Sequence, residues 1–421
     1  MTQRLQFNYV PYPLWRRRWP GPIQQMMQPL WKAIYPVVED TAPPTDAAAM
    51  ADYLVRYGLL KAYSLQDLYI CLRDSQPHIE DATTPPAATV EPALPARLPA
   101  QWEPMQAVIV NWPVMYPPLW DLHAQMVENI TPAADVTITV PAPMWAHAVC
   151  LYLHHRGHIG ADLMGKIRFM TLPTNDIWVR DYGPIIGYDQ NGQRVAFDAI
   201  YDHIPEYPQT LDDHMPIHWA GQQGMPLIPV DLHTEGGNLW SDGAGTLIMT
   251  EQIFNENPGH DRASLERYLH TLFDYEKLII TPRLRLESTG HVDLILKLAA
   301  ANHVLLSAPT SQSTGEELDQ TAQLFERETN AAGKPYSVDF LPTPRLYFNW
   351  FTYPIRRSYT NALTVNGRVL VPVYKLPTDD TALRVYERAM PGYEIVPIDC
   401  AIGANGGGAV HCMTKDVPIS L

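Results

Sequence analysis

NGRVLVPVYKLPTDDTALRVYERAM, residues 366–390, holds a turn carrying Asn366 and Gly367, a short β-rich run, and a polar segment that leads into a helix. ANHVLLSAPTSQSTGEELDQTAQLFERE (301–328) and DGAGTLIMTEQIFNENPGHDRASLERYLHTLF (242–273) follow the same grammar. QAVIVNWPVMYPPLWDLHAQMVENI (106–130) and the segment around DYGPIIGYDQNGQRVAFDAI (181–200) fit it less cleanly. A unit of strands plus one helix that recurs every roughly 60 to 90 residues means strands interleaved with helices, hence an α/β repeat architecture. The repeat places one pseudo-symmetric domain over residues 100–421. If its units close in a ring, strand ends converge at the centre and residues far apart in sequence meet there.

Upstream the texture changes. Residues 80–99 (EDATTPPAATVEPALPARLP) carry prolines at 85, 86, 92, 95 and 99 and little apolar material, which reads as a Pro-rich linker in extended conformation. Residues 1–79 read as an N-terminal, partly helical appendage. Thr45 is placed to cap a helix through DAAAMADYLVRY that Gly58 ends, and Ser64 to cap a second helix through Leu72. Ahead of these, the Arg16 to Arg18 triplet between Trp15 and Trp19 reads as a solvated basic loop.

With 46% hydrophobic and 18% charged residues, the 421-residue chain is too apolar to be disordered and long enough to bury a large core. Thirty Lys and Arg against 45 Asp and Glu give a formal charge of −15, which argues against a nucleic-acid or anionic-membrane surface and suits a cationic ligand. The four cysteines, Cys71, Cys150, Cys400 and Cys412, are spaced neither as a CxxC metal pair nor as a disulfide framework. Cys71, Cys150 and Cys400, with apolar neighbours such as Leu151 and Ile398, read as inert buried thiols. The N-terminus lacks a secretory apolar region, and no apolar run reaches the ~18 residues of a membrane span, so a cytoplasmic location is expected.

Four segments concentrate reactive side chains. In DIWVRDYGP (176–184), Tyr-Gly-Pro is a turn signal that would hold Asp181 at the end of a strand. In EGGN, two glycines after Glu235 let backbone approach a ligand closely. In TGHVDL, His291 and Asp293 stand two apart in a β-type run, where alternation puts both on one face. In NGGGAVHCMT, Gly406 to Gly408 remove side-chain bulk ahead of Cys412, as a nucleophile needs. Each also has a plain structural reading, a hydrogen-bonded HxD pair or a lone cysteine after glycines.

Together the segments resemble the agmatine deiminase and bacterial peptidylarginine deiminase family of the guanidino-group-modifying (pentein) superfamily. The resemblance covers residues 96–418, from LPAQWEPMQAVIVNWP through WVRDYGP, EGGNLWSDGAGTL, TGHVDL, SYTNALTVNGRVLVPVY and GGGAVHCMT, in the family's order. It implies a five-bladed α/β propeller around a central active site. It also implies Cys412 as nucleophile, His291 as general acid then base, and Asp181 with Asp293 as guanidinium-binding carboxylates. Glu235, Trp178, Asn361 and Gly408 are placed by it at the substrate.

That chemistry explains the residue types. A guanidinium is planar, delocalised and rich in N–H donors, so carboxylates must bracket it, each charge-assisted bond being worth roughly 1.5–3 kcal/mol. The attacking group must be a thiolate, which a bound cation and an imidazolium both favour. No metal or organic cofactor is required. Trp178 reads either as a wall or cation-π face for the substrate or as a core tryptophan, and Arg180 as a structural ion-pair partner.

The partner so implied is a small cationic guanidino substrate, agmatine or an arginyl peptide, with no nucleic acid or membrane and room for an oligomer. EGGN in place of QGGN, and His203 among Asp202 and Glu206 where a peptide carboxylate would want arginines, favour agmatine. The loop VAFDAIYDHIPEYPQTLDDHMP (195–216) is closer in texture to the peptidylarginine branch. Rival readings are a metal hydrolase on His154, His155 and His158, which no HExxH-like set accompanies, and a cysteine protease, which leaves Asp181 and Asp293 without a task. A catalytically dead propeller that binds guanidino ligands is the non-enzyme alternative.

Overall fold

The structure, a computed structural model, describes residues 44–81, 91–114, 116–202, 209–310, 315–348 and 354–421. The basic triplet Arg16 to Arg18 and the loop residues His203 and Glu206 lie outside them. Among the described residues no helix is long and apolar enough to cross a membrane.

Five sheets carry one pairing rule: a first strand antiparallel to a second, and a third strand parallel to the second on its other edge. Parallel neighbours need a crossover, and each unit supplies a helix for it. In the first unit Ile185–Tyr188 pairs with Arg194–Ile200, and Leu227–His233 follows after the helix Met215–Gln222. The second unit runs Trp240–Ser241, Thr246–Thr250, helix Arg262–Leu272 and Lys277–Thr281. The third runs Leu296–Ala300, His303–Ser307, helix Gly315–Phe325 and Ser337–Leu341. The fourth runs Leu363–Val365, Arg368–Val373, helix Asp379–Ala389 and Glu394–Asp399, the stretch that announced the grammar.

The fifth unit joins the two ends of the chain. Its first strand is Thr414–Pro418, antiparallel to Met105–Asn111, and helix Trp120–Ile130 leads to Asp135–Val140. Residues 106–130 fit the repeat poorly as sequence because their first strand lies some three hundred positions downstream. Helix Pro143–Arg156 and strand Ile167–Thr171 extend this sheet, and Ile79–Asp81 adds a further parallel strand at its edge.

Apolar cores join the units in pairs. Phe197 and Val230 of the first pack with Leu247, Leu265 and Leu278 of the second. Trp240 and Ile248 of the second share a core with Leu296, Val304 and Phe325 of the third. Leu305 and Leu341 of the third, Leu363 and Tyr386 of the fourth, and Val108 and Val136 of the fifth belong to one cluster. Ile109 and Val417 of the fifth meet Ile186 and Ala196 of the first.

At the N-terminal side the helices are Ala47–Arg56 and Leu65–Asp74. The first cap is Asp46 rather than Thr45: its carboxylate accepts the backbone N–H groups of Ala48 and Ala49, a stronger cap than a threonine hydroxyl. Ser64 caps the second helix, and Gly58 takes the left-handed conformation after the first. The described ends of the proline-rich stretch are more structured than composition suggests. Ala96 and Leu98 are buried, and the backbone of Ala96 and Arg97 bridges to Phe273 and Tyr188. Of the three further cysteines only Cys400 is buried; Cys71 and Cys150, on helix surfaces, are half-buried.

Candidate active site

The segment that enters the first strand of every unit carries a reactive side chain. Asp181 lies four residues before Ile185, Glu235 five before Trp240, and His291 and Asp293 just before Leu296. Asn361 lies two before Leu363, and Cys412 two before Thr414. Equivalent positions in repeated units converge, so five stretches of chain deliver side chains to one point.

Local structure at two of them differs from the sequence reading. Asp181 sits in a helical turn, Val179–Tyr182, rather than at a strand end. The Arg180 amide donates to the Cys412 carbonyl, which ties this turn to the Cys412 segment. His291 and Asp293 do not lie in a β run: Val292–Leu294 is a turn of 3₁₀ helix, and His291 is its extended cap. Alternation therefore does not bring the two together. The turn sends His291 toward Asp181 and Glu235, and Asp293 toward His411 and Cys412.

Cys412 is almost fully buried. Its Sγ accepts a hydrogen bond from Asn361 Nδ2 at 3.0 Å and donates to Asp293 Oδ2 at 3.5 Å. The Asn361 side-chain oxygen accepts the amides of Ala409 and Cys412, and its backbone carbonyl accepts that of His411. One amide side chain thus shapes the whole loop. Gly407 has φ of +99°, and a Cβ on Gly408 would collide with the Trp178 ring and with Cys412 itself. Those two glycines are required by geometry. Trp178 is half-buried between two apolar clusters, with its ring against Gly408.

His291 lies between two carboxylates, Nε2 2.6 Å from Glu235 Oε2 and Nδ1 3.5 Å from Asp181 Oδ1. It also hydrogen-bonds Cys412. A Cβ on Gly237 would overlap both the His291 ring and the Asp181 carboxylate, while the Gly237 amide donates to Asp181 Oδ1 at 3.0 Å. On the other side His411 Nδ1 lies 2.7 Å from Asp293 Oδ2, and its ring stacks on Trp240 at 4.8 Å. Asp293 Oδ1 is buried with no hydrogen-bond partner among the described residues.

Burial and charge set the protonation states. Burial pushes Asp181 up to about 7, with His291 pulling down and Glu235 and Asp293 pushing further up. Burial raises Asp293 to about 6 against the pull of His291 and Arg180. Burial opposes the His291 imidazolium, yet Asp181 and Glu235 together outweigh it and hold its pKa well above the ordinary value. Burial, then Asp293, drives the Cys412 thiol strongly upward, so the empty site holds a thiol. Burial, helped by Arg180, Lys297 and Lys415, keeps His411 neutral.

Cys412, His291, Asp181, Asp293, Glu235, Asn361, Trp178 and Gly408 lie at or beside this point, and Arg180 is the ion-pair partner expected of it, 2.5 Å from Asp416. His411 and Gly237 were missed. Both stood in the quoted motifs, next to Cys412 and after Glu235, but nothing in composition separates a positioning neighbour from a filler. Asp181, Glu235 and His291 make the one metal-sized cluster among the described residues. His291 pairs with both carboxylates, so the three groups are accounted for as an ion-pair cluster. His154, His155 and His158 are exposed at the end of their helix and form no such cluster.

Known proteins share this fold. The agmatine deiminase of Pseudomonas aeruginosa is 27% identical over 356 residues, 76% of this chain and 95% of that protein. The solved agmatine deiminase of Enterococcus faecalis superposes with a TM-score of 0.69 at 22% identity, over 78% of this chain and 97% of that one. A C. jejuni agmatine deiminase solved with substrate bound superposes at 0.67 with 16% identity, over 78% of this chain and 97% of its own. The family of Porphyromonas-type peptidyl-arginine deiminases matches residues 97–418, and the chain belongs to that family.

Proposed function

We propose that this protein hydrolyses a guanidinium group, converting agmatine to N-carbamoylputrescine and ammonia, with Cys412 as nucleophile. The observation that carries the reading is a buried thiol, an imidazole and three carboxylates at one point, with Asp293 Oδ1 unpartnered. A buried unpaired carboxylate oxygen is costly unless a cation completes it. A guanidinium does so and leaves its central carbon facing sulfur.

The bound cation also solves the thiol's problem. It offsets the carboxylates that hold Cys412 protonated, while Asn361 and His291 donate toward the sulfur. The thiolate adds to the carbon, the C–N bond breaks, and His291 gives its proton to the departing ammonia. Water then adds to the thiouronium carbon and the C–S bond breaks. One of its protons returns to His291 and the other goes to the departing sulfur, restoring the thiol; the proton that the thiol gave up on substrate binding leaves with the ammonia as ammonium. Asp181 and Asp293 hold the cation throughout, Glu235 keeps His291 charged for the first step, and Trp178 walls the site.

The paired cores between successive units support a five-bladed propeller with this site at its hub, in residues 100–421. Asp202 and Glu206, beside His203 in the sequence, suit the free amine of agmatine better than a peptide carboxylate. A cytoplasmic location follows the same reading. The test is ureido-product formation on agmatine, free arginine, and internal and C-terminal arginyl peptides, with Cys412→Ser as control. Agmatine is expected to lead in kcat/KM by about tenfold or more. A lead for either peptide moves the substrate to the peptidyl branch, and product from Cys412→Ser removes the nucleophile.

A further inference from the structure

We infer that a cavity on the strand side of the catalytic loops holds the water consumed in the second half-reaction, so that water and substrate reach the carbon from opposite sides. The inference rests on the deiminase reading above. The cavity measures about 60 Å³, and its walls include Arg180, Gly236, Trp240, His411, Lys415 and Asp416. That is room for about two waters, and the wall is polar enough to bind them.

Lys415 makes the strongest demand for them. It is 4% exposed, and among the described residues its Nζ donates one hydrogen bond, to the Arg180 carbonyl at 3.3 Å. An amino group buried with so few acceptors needs more, and the cavity is where they fit. Asp416 and the Gln101 amide border the same space.

The partition between cavity and catalytic centre is one residue thick. Gly236 and Gly237 are its two faces. A Cβ on Gly236 would strike the Arg180 carbonyl and Lys415 Nζ on the cavity side, whereas one on Gly237 would strike His291 and Asp181 on the catalytic side. His411 spans the partition beside them, lining the cavity while its Nδ1 holds Asp293.

Stoichiometry supplies the need. Each turnover takes in one water after the covalent intermediate has formed. At that moment the alkyl tail still fills the route by which substrate entered, and carboxylates clasp the remaining nitrogens. A water held on another side of the site can add to the carbon as the C–S bond breaks without crossing that route. The cavity borders Gly236 of the turn that follows Glu235, and Gly237 of the same turn touches His291, the base that takes the proton.

Filling the cavity tests this. Ser241 and Ile185 line it and take no part in the chemistry. In Ser241→Met, and independently in Ile185→Phe, first-turnover ammonia release is expected to stay within about twofold of the unaltered enzyme. Steady-state kcat should fall about fivefold or more, and an adduct on Cys412 should accumulate in intact-protein mass spectra during turnover. Folded variants, judged by thermal melting, that keep kcat within about twofold overturn the inference. So does loss of both phases together without an adduct, or a high-resolution crystal structure with a dry cavity. Absence of ammonia release from the unaltered protein would instead remove the deiminase reading itself.

Discussion

Gly237 stands where any side chain would meet the imidazole of His291 and the carboxylate of Asp181 at once. Its own φ is unremarkable for a non-glycine residue, so the requirement is for space and not for backbone freedom. Gly237→Ala must therefore push one of the two groups aside, and both are needed within a few tenths of an ångström of their places. The substitution is expected to lower kcat/KM for ammonia release by about 100-fold or more, while the melting temperature moves by only a few degrees, because the displaced atoms belong to side chains rather than backbone. Ammonia release and a thermal melt on one preparation decide it; near-normal activity would mean the His291–Asp181 spacing is not what sets the rate. Asn361 makes the same point from the opposite direction, since one amide fixes three backbone N–H groups and the sulfur together through its side chain and carbonyl.

The first strands of the units lead away from the site, and they carry its counter-charge. Lys297 on Leu296–Ala300 is fully buried, donating to Gln101 Oε1 at 2.8 Å and the Ala362 carbonyl at 2.9 Å, with its Nζ 5.1 Å from the Trp240 ring centre. Burial, then Arg180, lowers its pKa to about 7. A lysine whose folded pKa is depressed contributes stability above its unfolded value of about 10.4 that is lost as pH falls through the folded one. Lys297→Met has no such titration, so its stability relative to the unaltered protein should rise between about pH 9.5 and pH 7, by on the order of a few kcal/mol. Denaturant melts of both proteins at the two pH values measure this, and a flat difference would mean Lys297 keeps its ordinary pKa. These strands also explain what the sequence revealed. The grammar of turn, strand and helix in residues 366–390 is local, as is the spacing of Gly, His and Cys within each motif, so fold class and reactive residues could be read. The turn at Val292–Leu294 and the one at Val179–Tyr182 were misread as strands because their conformation is imposed by partners in other units. The role of His411 lies wholly in long-range contacts, to Asp293 and Trp240, which no local pattern encodes.

Across the whole molecule the fifth unit is the joint, built from the strand after Cys412 and the strand at residue 105, and it feeds directly into the turn that holds Asp181. The N-terminal helices pack on this unit. Met50, Leu54, Leu68 and Leu72 are fully buried in the same cluster as Trp120 and Trp145 of its helices. Tyr53 sits edge-on to Trp145 at 5.0 Å, and its hydroxyl donates to the Val114 carbonyl at 2.8 Å. The appendage thus covers a face that would otherwise expose two tryptophans, which gives it a structural task whatever it does toward substrate. Tyr53→Ala removes an aromatic contact and leaves a buried carbonyl without its donor, a loss of about 3 kcal/mol or more. The ring and hydrogen-bond contacts of Tyr53 run to Tyr57, Trp120, Trp145 and Val114, none of them a residue of the site, so kcat/KM of the folded protein should stay within about twofold. Chemical denaturation followed by tryptophan fluorescence, beside ammonia release below the transition, separates the two effects. Lost turnover at unchanged stability would show that the appendage works on the path to Cys412; lost stability at unchanged turnover would show that it holds the fifth unit together.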